Sequence, residues 1–231
     1  MTTTEKPAMH TILRRASATT VQAIAGAVLI AVHVPLTKPL RRWRTGWGAT
    51  DAEAAATLPG DEFVPQARWG YTHAITIDAP PEKVWPWIAQ LGQGRGGFYS
   101  YEGLENLIGC HVRNSDTLVP EYQHIGVGDQ IRLHPQAPPL TVVMTEPNSR
   151  LVLHGALPET DDSQIWAFHL HRVDHRRTRL VERGRGAFGP RLSSRLAFGP
   201  TLIEPVSFVM SRKMLLTIRH LAESSTHPAT R

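Results

Sequence analysis

The sequence predicts an α+β fold in which an antiparallel sheet wraps around a long C-terminal helix, with a hydrophobic helix at the N-terminus. Three observations predict this fold. Residues 71–92 change from the two-residue alternation of a strand to the spacing of an amphipathic helix. Residues 130–183 contain further stretches with strand character, and residues 201–223 carry one continuous apolar helical face.

The first predicted element is a stretch without formal charge from Ala16 to Thr37. As a helix it would span roughly 33 Å, enough to cross the hydrocarbon core of a bilayer. We therefore predict a basic tail over residues 1–15 and a membrane anchor over residues 16–37, which makes the protein a single-pass membrane protein. A cleaved signal peptide and a soluble or interfacial helix are the alternatives. The distribution of basic residues slightly favours a cytoplasmic globular domain.

Residues 38–67 are predicted to form a basic and aromatic belt followed by a connector. The belt consists of Lys38, Arg41, Arg42, Trp43, Arg44 and Trp47, residue types that flank membrane helices. The connector holds a short Ala-rich helix over Asp51–Thr57, capped by Thr50 or Asp51. The turn at Leu58–Asp61 ends that helix.

The globular domain is predicted over residues 68–223, and residues 224–231 are predicted to be a disordered tail. Its first strand alternates through Tyr71–Ile77, and Pro80-Pro81-Glu82 then begins an amphipathic helix. A Gly-rich loop and a short helix through Leu104–Ile108 follow. The remaining strands are predicted at Gln130–His134, Leu140–Thr145, Leu151–His154, Gln164–Val173 and Thr178–Arg183.

Several motifs add a family resemblance to this pattern. The strand that runs through Ala-Pro-Pro-Glu-x-Val-Trp into a helix resembles the opening of SRPBCC proteins, the START-like, polyketide-cyclase-like helix-grip superfamily. A bacterial subgroup with one N-terminal hydrophobic helix is similar over a longer stretch. Its motifs appear here as Trp47–Thr50, Leu58–Asp61, Val84–Trp87, Gly97–Tyr101 and Leu104–Asn106. The resemblance implies a helix-grip fold with a cavity, and it does not imply a particular reaction.

The net charge of +5 is concentrated at the N-terminus. Residues 1–50 hold seven Lys or Arg and one acidic residue, Glu5, whereas residues 51–231 hold 18 basic and 19 acidic residues. This distribution favours a membrane surface over nucleic acid as a partner, and we expect no nucleic-acid binding. Cys110 is the only cysteine, so no intramolecular disulfide can form. We expect a monomer.

No motif in the sequence predicts a metal or a cofactor. The loop Gly92–Gly97 lacks the Gly-Lys-Ser/Thr ending of a phosphate-binding P-loop, so unusual backbone angles explain its glycines better. His169 and His171 share one strand face, but no third ligand is evident. The aromatic face of that strand should point inward, which leaves the two histidines on the outward face.

The cavity implied by the resemblance should have apolar walls and a few polar anchors. Glu105 could act as a general acid or base if burial raised its pKa, or it could tie down its loop together with Asn106. The predicted apolar lining is Trp87, Tyr99, Tyr101, Trp166, Phe168, Met210 and Met214. The predicted polar groups are Arg95, Glu105, Asn106 and Glu182.

The leading hypothesis from the sequence is a membrane-tethered protein that binds a small hydrophobic molecule or lipid. An enzyme resembling polyketide cyclases or dehydratases, which uses a cavity acid or base, is the second hypothesis. A structural or interaction module with a filled cavity is the third. The presence of an open pocket and of titratable groups inside it distinguishes these possibilities.

Overall fold

The computed structural model describes residues 5–33, 37–157, 162–189 and 200–225. Its helices within these ranges are α1 (Glu5–His33), α2 (Thr37–Thr45), α3 (Asp51–Ala55), α4 (Pro81–Ala89), α5 (Glu102–Leu107) and α6 (Pro200–Ser224). Its strands are β1 (Trp69–Ile77), β2 (Gln130–Ile131), β3 (Leu140–Glu146), β4 (Arg150–Ala156), β5 (Ser163–Arg172) and β6 (Thr178–Ala187). Short 3₁₀ turns lie at Asp61–Phe63 and Pro120–Tyr122.

The six strands form one antiparallel sheet in the order β1-β6-β5-β4-β3-β2. The first strand of the sheet therefore pairs with the last, and α4 and α6 pack on the same inner face. The core between them is formed by fully buried side chains, among them Ile77, Ile88, Leu151, Leu153, Phe168, Leu180, Leu215 and Ile218. The predicted α+β helix-grip fold is confirmed.

The opening of the domain shows why this segment folds as the sequence predicts. The apolar residues of β1 alternate onto the inner face, where Ile75 and Ile77 are buried. Pro81 occupies the first turn of α4, where its missing N–H would have no helical partner. The hydroxyl of Thr178 donates to the carbonyl of Ala79 over 2.7 Å and joins the end of β1 to β6.

The predicted membrane anchor is wrong. In the part of the chain that the structure describes, no helix combines the length and the apolar character needed to cross a bilayer. Thr19, Thr20 and Gln22 interrupt the apolar residues of α1. The predicted single-pass localisation, and the orientation inferred from it, are therefore wrong as well. Residues 34–36 of the predicted anchor, and residues 226–231 of the predicted tail, lie outside the described residues.

Helix α1 instead packs on α5 and α6 through its small residues. A Cβ atom added to Gly26 would lie 2.6 Å from Leu104 Cδ1 and 3.0 Å from Tyr101 Cγ. A Cβ atom on Gly103 would lie 2.7 Å from the Cβ atom of Ala23. Such distances leave no room for a larger side chain, so glycine at these positions permits the close approach of the two helices.

The basic belt also has a different role from the one that the sequence suggested. Arg44 is fully buried, and its guanidinium lies 3.4 Å from Glu204 on α6. Arg41 donates to both carboxylate oxygens of Glu204, at 2.8–3.1 Å. Burial, opposed by the nearby Glu204, lowers the pKa of Arg44. These contacts hold α2 against α6.

The connector covers the outer face of the sheet. Asp61 binds the guanidinium of Arg183 through two contacts of 3.1 and 2.8 Å, and it lies 3.0 Å from Arg185. His169 lies on this outer face, as expected, but it is only 3% exposed because the face is covered. Burial lowers the pKa of His169 to about 4, so the ring is neutral at physiological pH.

Candidate functional site

A cavity of about 300 Å³ lies between the inner face of the sheet and α6. Its walls come from β1, β3, β5 and α6, and α5 with the segment after it forms another side. The lining is mainly apolar, with Glu105 as its charged residue. The lining residues are Trp69, Tyr71, Phe98, Ser100, Glu105, Ile108, Cys110, Leu133, Leu140, Gln164, Ile165, Trp166, Ile203, Val206, Ser207, Met210, Ser211 and Met214.

Four of the predicted site residues line this cavity: Glu105, Trp166, Met210 and Met214. Met210 and Met214 are one helical turn apart on α6, so both side chains project toward the same wall. The indole of Trp166 packs at 4.9 Å against the ring of Phe168, which belongs to the core behind it. The methionines add an adaptable apolar surface, because their side chains are unbranched and flexible.

The other predicted apolar residues lie outside the lining. Trp87 and Tyr99 pack edge to face in the core, and the side-chain amide of Gln90 donates to Tyr99 over 2.6 Å. Tyr101 packs against Phe208 and Val209 under α1. These aromatic residues support the domain without facing the cavity.

Two predicted polar residues hold loops in place. Arg95 donates to the carbonyls of Ala89 and Tyr122, at 2.8 and 3.2 Å, and fixes the Gly-rich loop. Asn106 donates to the carbonyl of Val112 and accepts from its N–H. Asn106 thus ties down its loop, which is one of the two roles considered for this part of the sequence. For Glu105, the structure shows a different environment.

Glu105 is a buried carboxyl group without a complete set of partners. Its side chain is 4% exposed, and Oε2 has no hydrogen-bond partner among the described residues. Burial, with a smaller contribution from the charge of Glu102, raises the pKa of Glu105 to about 7. A buried carboxyl oxygen without a partner is unfavourable, so a bound donor at this point would be stabilising. Glu105 can accept a hydrogen bond when ionised and donate one when protonated.

Glu182 forms a second buried polar group, directly behind the cavity wall. Its Oε1 accepts hydrogen bonds from Tyr71, at 3.1 Å, and from Trp166 and Ser211, each at 2.8 Å. Oε2 lies 3.4 Å from His73 Nδ1. Burial first, and the charge of Glu182 second, raise the pKa of Tyr71 well above its usual value. The carboxylate therefore positions three side chains of the cavity lining.

Several lining residues were missed by the sequence analysis. Tyr71 lies at an even spacing from Ile75 and Ile77 in β1, so the two-residue alternation already placed it on the inner face. Ser211 precedes the predicted Met214 by three positions on α6, a spacing that places both on one face of the helix. Trp69, Phe98 and Ser100 gave no comparable signal, because their positions depend on how the Gly-rich loop and the start of β1 pack.

No family model matches this sequence, and no curated protein matches it either. Among solved structures, the chain is similar to the Zhui aromatase/cyclase from Streptomyces sp. R1128, with 14% identity and a TM-score of 0.42, covering 70% of this chain and 98% of that one. It is similar to norcoclaurine synthase from Thalictrum, with 11% identity, a TM-score of 0.38 and coverages of 69% and 96%.

A third similar structure is protein MLL2253 from Mesorhizobium loti, with 19% identity and a TM-score of 0.36. That alignment covers 67% of this chain and 98% of the other. At such identities and TM-scores, these similarities carry no argument about function. The function has to be argued from the residues of the cavity.

Proposed function

We propose that this protein binds a small hydrophobic ligand in the cavity between the sheet and α6, with Glu105 as the polar anchor. The observation that carries the proposal is the unpaired, buried carboxyl oxygen of Glu105 in a mainly apolar cavity of about 300 Å³. Apolar walls with a few polar groups are typical of sites that hold small molecules. The cavity forms within one chain, so a monomer suffices for binding.

The cavity constrains the ligand by size and by chemistry. Its volume of about 300 Å³ is at the lower end of the range for ligand pockets, which favours a small molecule or a single acyl chain over a whole phospholipid. The ligand should carry one hydrogen-bond donor toward Glu105. An ionised Glu105 would also favour a cationic group, because the surrounding walls are of low polarity.

A cyclase-like enzyme is the second candidate. Its support is the pKa of about 7 at Glu105, because a group with such a pKa can both accept and donate a proton at neutral pH. In that case Glu105 would move a proton on a substrate held by the apolar walls. Replacing Glu105 with glutamine separates the two candidates. Glutamine keeps an oxygen that accepts the ligand's hydrogen bond, so binding should persist, but it cannot transfer a proton, so turnover should be lost.

Binding of N-phenyl-1-naphthylamine, an apolar fluorophore with one N–H donor, tests the proposal. We expect saturable binding to the full chain with enhanced fluorescence. Ser207→Trp should block it by filling the cavity, and Glu105→Leu, which removes both carboxyl oxygens, should weaken it about tenfold, the loss of one good polar contact. Val173→Trp is the matched control, because Val173 is exposed just after β5 and lines no part of the cavity.

The outcomes distinguish the candidates. Absent binding, or binding that Ser207→Trp leaves intact, would contradict a ligand site in this cavity. Equal affinity of wild type and Glu105→Leu would contradict the role of Glu105 as an anchor.

A further inference from the structure

A second concave site adjoins the cavity between the sheet and α6, and Trp69 and Tyr71 line both. It is a cleft of about 990 Å³ at the β1 edge of the sheet, between the end of α2, the connector and the start of β1. We call it the arginine cleft. Among its described lining residues, four are arginines and one is acidic: Arg42, Arg68, Arg183, Arg185 and Asp51. The proposed binding function does not use this cleft.

The four arginines differ in how many hydrogen bonds and ion pairs their guanidinium groups form within the protein. Arg183 donates to Asp61 and, over 2.7 Å, to the hydroxyl of Thr72, so its guanidinium has a structural role. Arg185 shares the same Asp61 at 3.0 Å. One buried carboxylate thus faces two guanidinium groups, which leaves a positive charge in the wall of the cleft.

The guanidinium groups of Arg42 and Arg68 are more available to bind an anion. Arg42 is 92% exposed, and its ion pair with Asp51 is 3.6 Å long between two exposed side chains. Such pairs contribute little, so an incoming anion can compete with Asp51. The guanidinium of Arg68 lies over the ring of Phe188 at 5.4 Å, a contact that leaves its N–H groups able to donate.

The cleft also presents an aromatic surface. Trp43 is 53% exposed, although its ring packs at 5.1 Å against Phe208. Part of a large apolar ring therefore faces solvent beside the cationic side chains. Isolated surface arginines are ordinarily solvated, but a concave wall with one sign of charge concentrates its field and attracts ions of the opposite sign.

We propose that the arginine cleft binds a small organic anion, with a carboxylate or phosphate group at Arg42 and Arg68 and an apolar body against Trp43. The planar guanidinium group suits both of these anions, because it donates two parallel hydrogen bonds to neighbouring oxygens. The site adjoins the proposed ligand cavity through Trp69 and Tyr71, whereas Glu105 and α6 line only the cavity. The two sites also prefer ligands of different charge. The arginine cleft favours anions, whereas Glu105 disfavours anions in the ligand cavity.

Titration calorimetry of the full chain with phenyl phosphate tests this proposal. We expect saturable binding that weakens as sodium chloride is raised, because exposed charges are screened by salt. Arg42→Gln and Arg68→Gln should each weaken binding about tenfold, the effect of losing one charge-assisted contact. Arg176→Gln is the matched control, since Arg176 is exposed in the turn between β5 and β6, outside the cleft lining.

The proposal would be overturned by an absence of saturable binding, by full binding in both cleft variants, or by an equal loss in Arg176→Gln. Inorganic phosphate serves as the second probe. It should bind more weakly than phenyl phosphate, and equal affinities would contradict an organic anion held against Trp43.

Ser207→Trp changes the ligand cavity at a residue that does not line the arginine cleft, so it should leave phenyl phosphate binding unchanged. Loss of binding in that variant would indicate that the anion binds in the ligand cavity, and it would overturn the proposal. Because this test is independent of N-phenyl-1-naphthylamine binding, failure of either proposal can be recognised separately.

Discussion

Glu182 and His73 face each other from β6 and β1, with Glu182 Oε2 3.4 Å from His73 Nδ1. The other ring nitrogen, Nε2, lies 3.0 Å from the backbone carbonyl of Arg44 and must donate to it. Both ring nitrogens thus face oxygen atoms of the protein. Through this pair, the carboxylate that positions Tyr71, Trp166 and Ser211 is connected to the backbone of α2.

Replacing Glu182 with alanine should strongly destabilise the fold. The change leaves the donors of Tyr71, Trp166 and Ser211 buried without an acceptor, and we expect a loss of about 3–5 kcal/mol in the free energy of unfolding. Urea denaturation measures it. Glu82→Ala is the control: Glu82 pairs with Arg172 between two exposed side chains and should cost less than about 1 kcal/mol. Similar losses in both variants would contradict the central role of Glu182.

The carboxyl of Glu105 should make stability depend on pH. Its pKa in the folded state is about 7, above the ordinary value of 4.5, so the folded protein retains a proton that the unfolded chain has released. Stability should therefore fall as the pH rises from about 4.5 to about 7, by roughly 3 kcal/mol in total. Glu105→Gln removes this dependence.

Urea denaturation of wild type and Glu105→Gln at pH 5 and pH 8 measures the effect. The variant should gain stability relative to wild type at pH 8, because the glutamine carries no charge to bury. A difference between the two proteins that is the same at both pH values would show that Glu105 is ordinarily solvated.

Packing of α1 on the domain should depend on the absence of a side chain at Gly26. Gly26→Val places new atoms where Leu104 and Tyr101 already lie, so α1 should detach. Hydrogen exchange of the amides in α1 measures this and should accelerate in the variant. Ala27→Val changes the next, exposed position of the same helix and should leave exchange nearly unchanged. Equal exchange in both variants would mean that this contact does not hold α1.

The connector should loosen when Asp61 is neutralised. Asp61→Asn leaves Arg183 and Arg185 beside each other without their shared carboxylate, and we expect a loss of about 2–3 kcal/mol. Faster hydrogen exchange over residues 51–64 should accompany it. Asp174→Asn, in the surface pair with Arg177, is the control and should change stability much less than Asp61→Asn. An Asp61→Asn variant as stable as this control would show that the connector is held by other contacts.

The order of the elements could be predicted from the sequence because alternation and helical spacing are local properties. The passage from β1 to α4 and the apolar face of α6 each lie within a single continuous segment. The contacts of Glu182 could not be predicted, because they depend on register. His73 and Phe168 lie opposite Glu182 only in the pairing of β1 with β6 and of β5 with β6.

The N-terminal region was misinterpreted for a related reason. An uncharged stretch between basic residues is compatible with a membrane helix and with a helix packed on protein. The decisive features are long-range: Gly26 matches Tyr101 and Leu104, and Glu204 binds Arg41. For Glu105, the sequence placed a carboxyl near the predicted cavity, but it could not reveal whether a neighbouring residue would satisfy its oxygens.

Binding in the cavity can be tested most directly by NMR of the full chain with ¹³C-labelled methionine methyl groups. Met210 and Met214 line the cavity, whereas Met144 on β3 does not and serves as an internal control. With N-phenyl-1-naphthylamine present, we predict nuclear Overhauser contacts from its rings to the methyl groups of Met210 and Met214 but not to that of Met144. Bound probe without contacts to Met210 and Met214 would contradict the proposed ligand site.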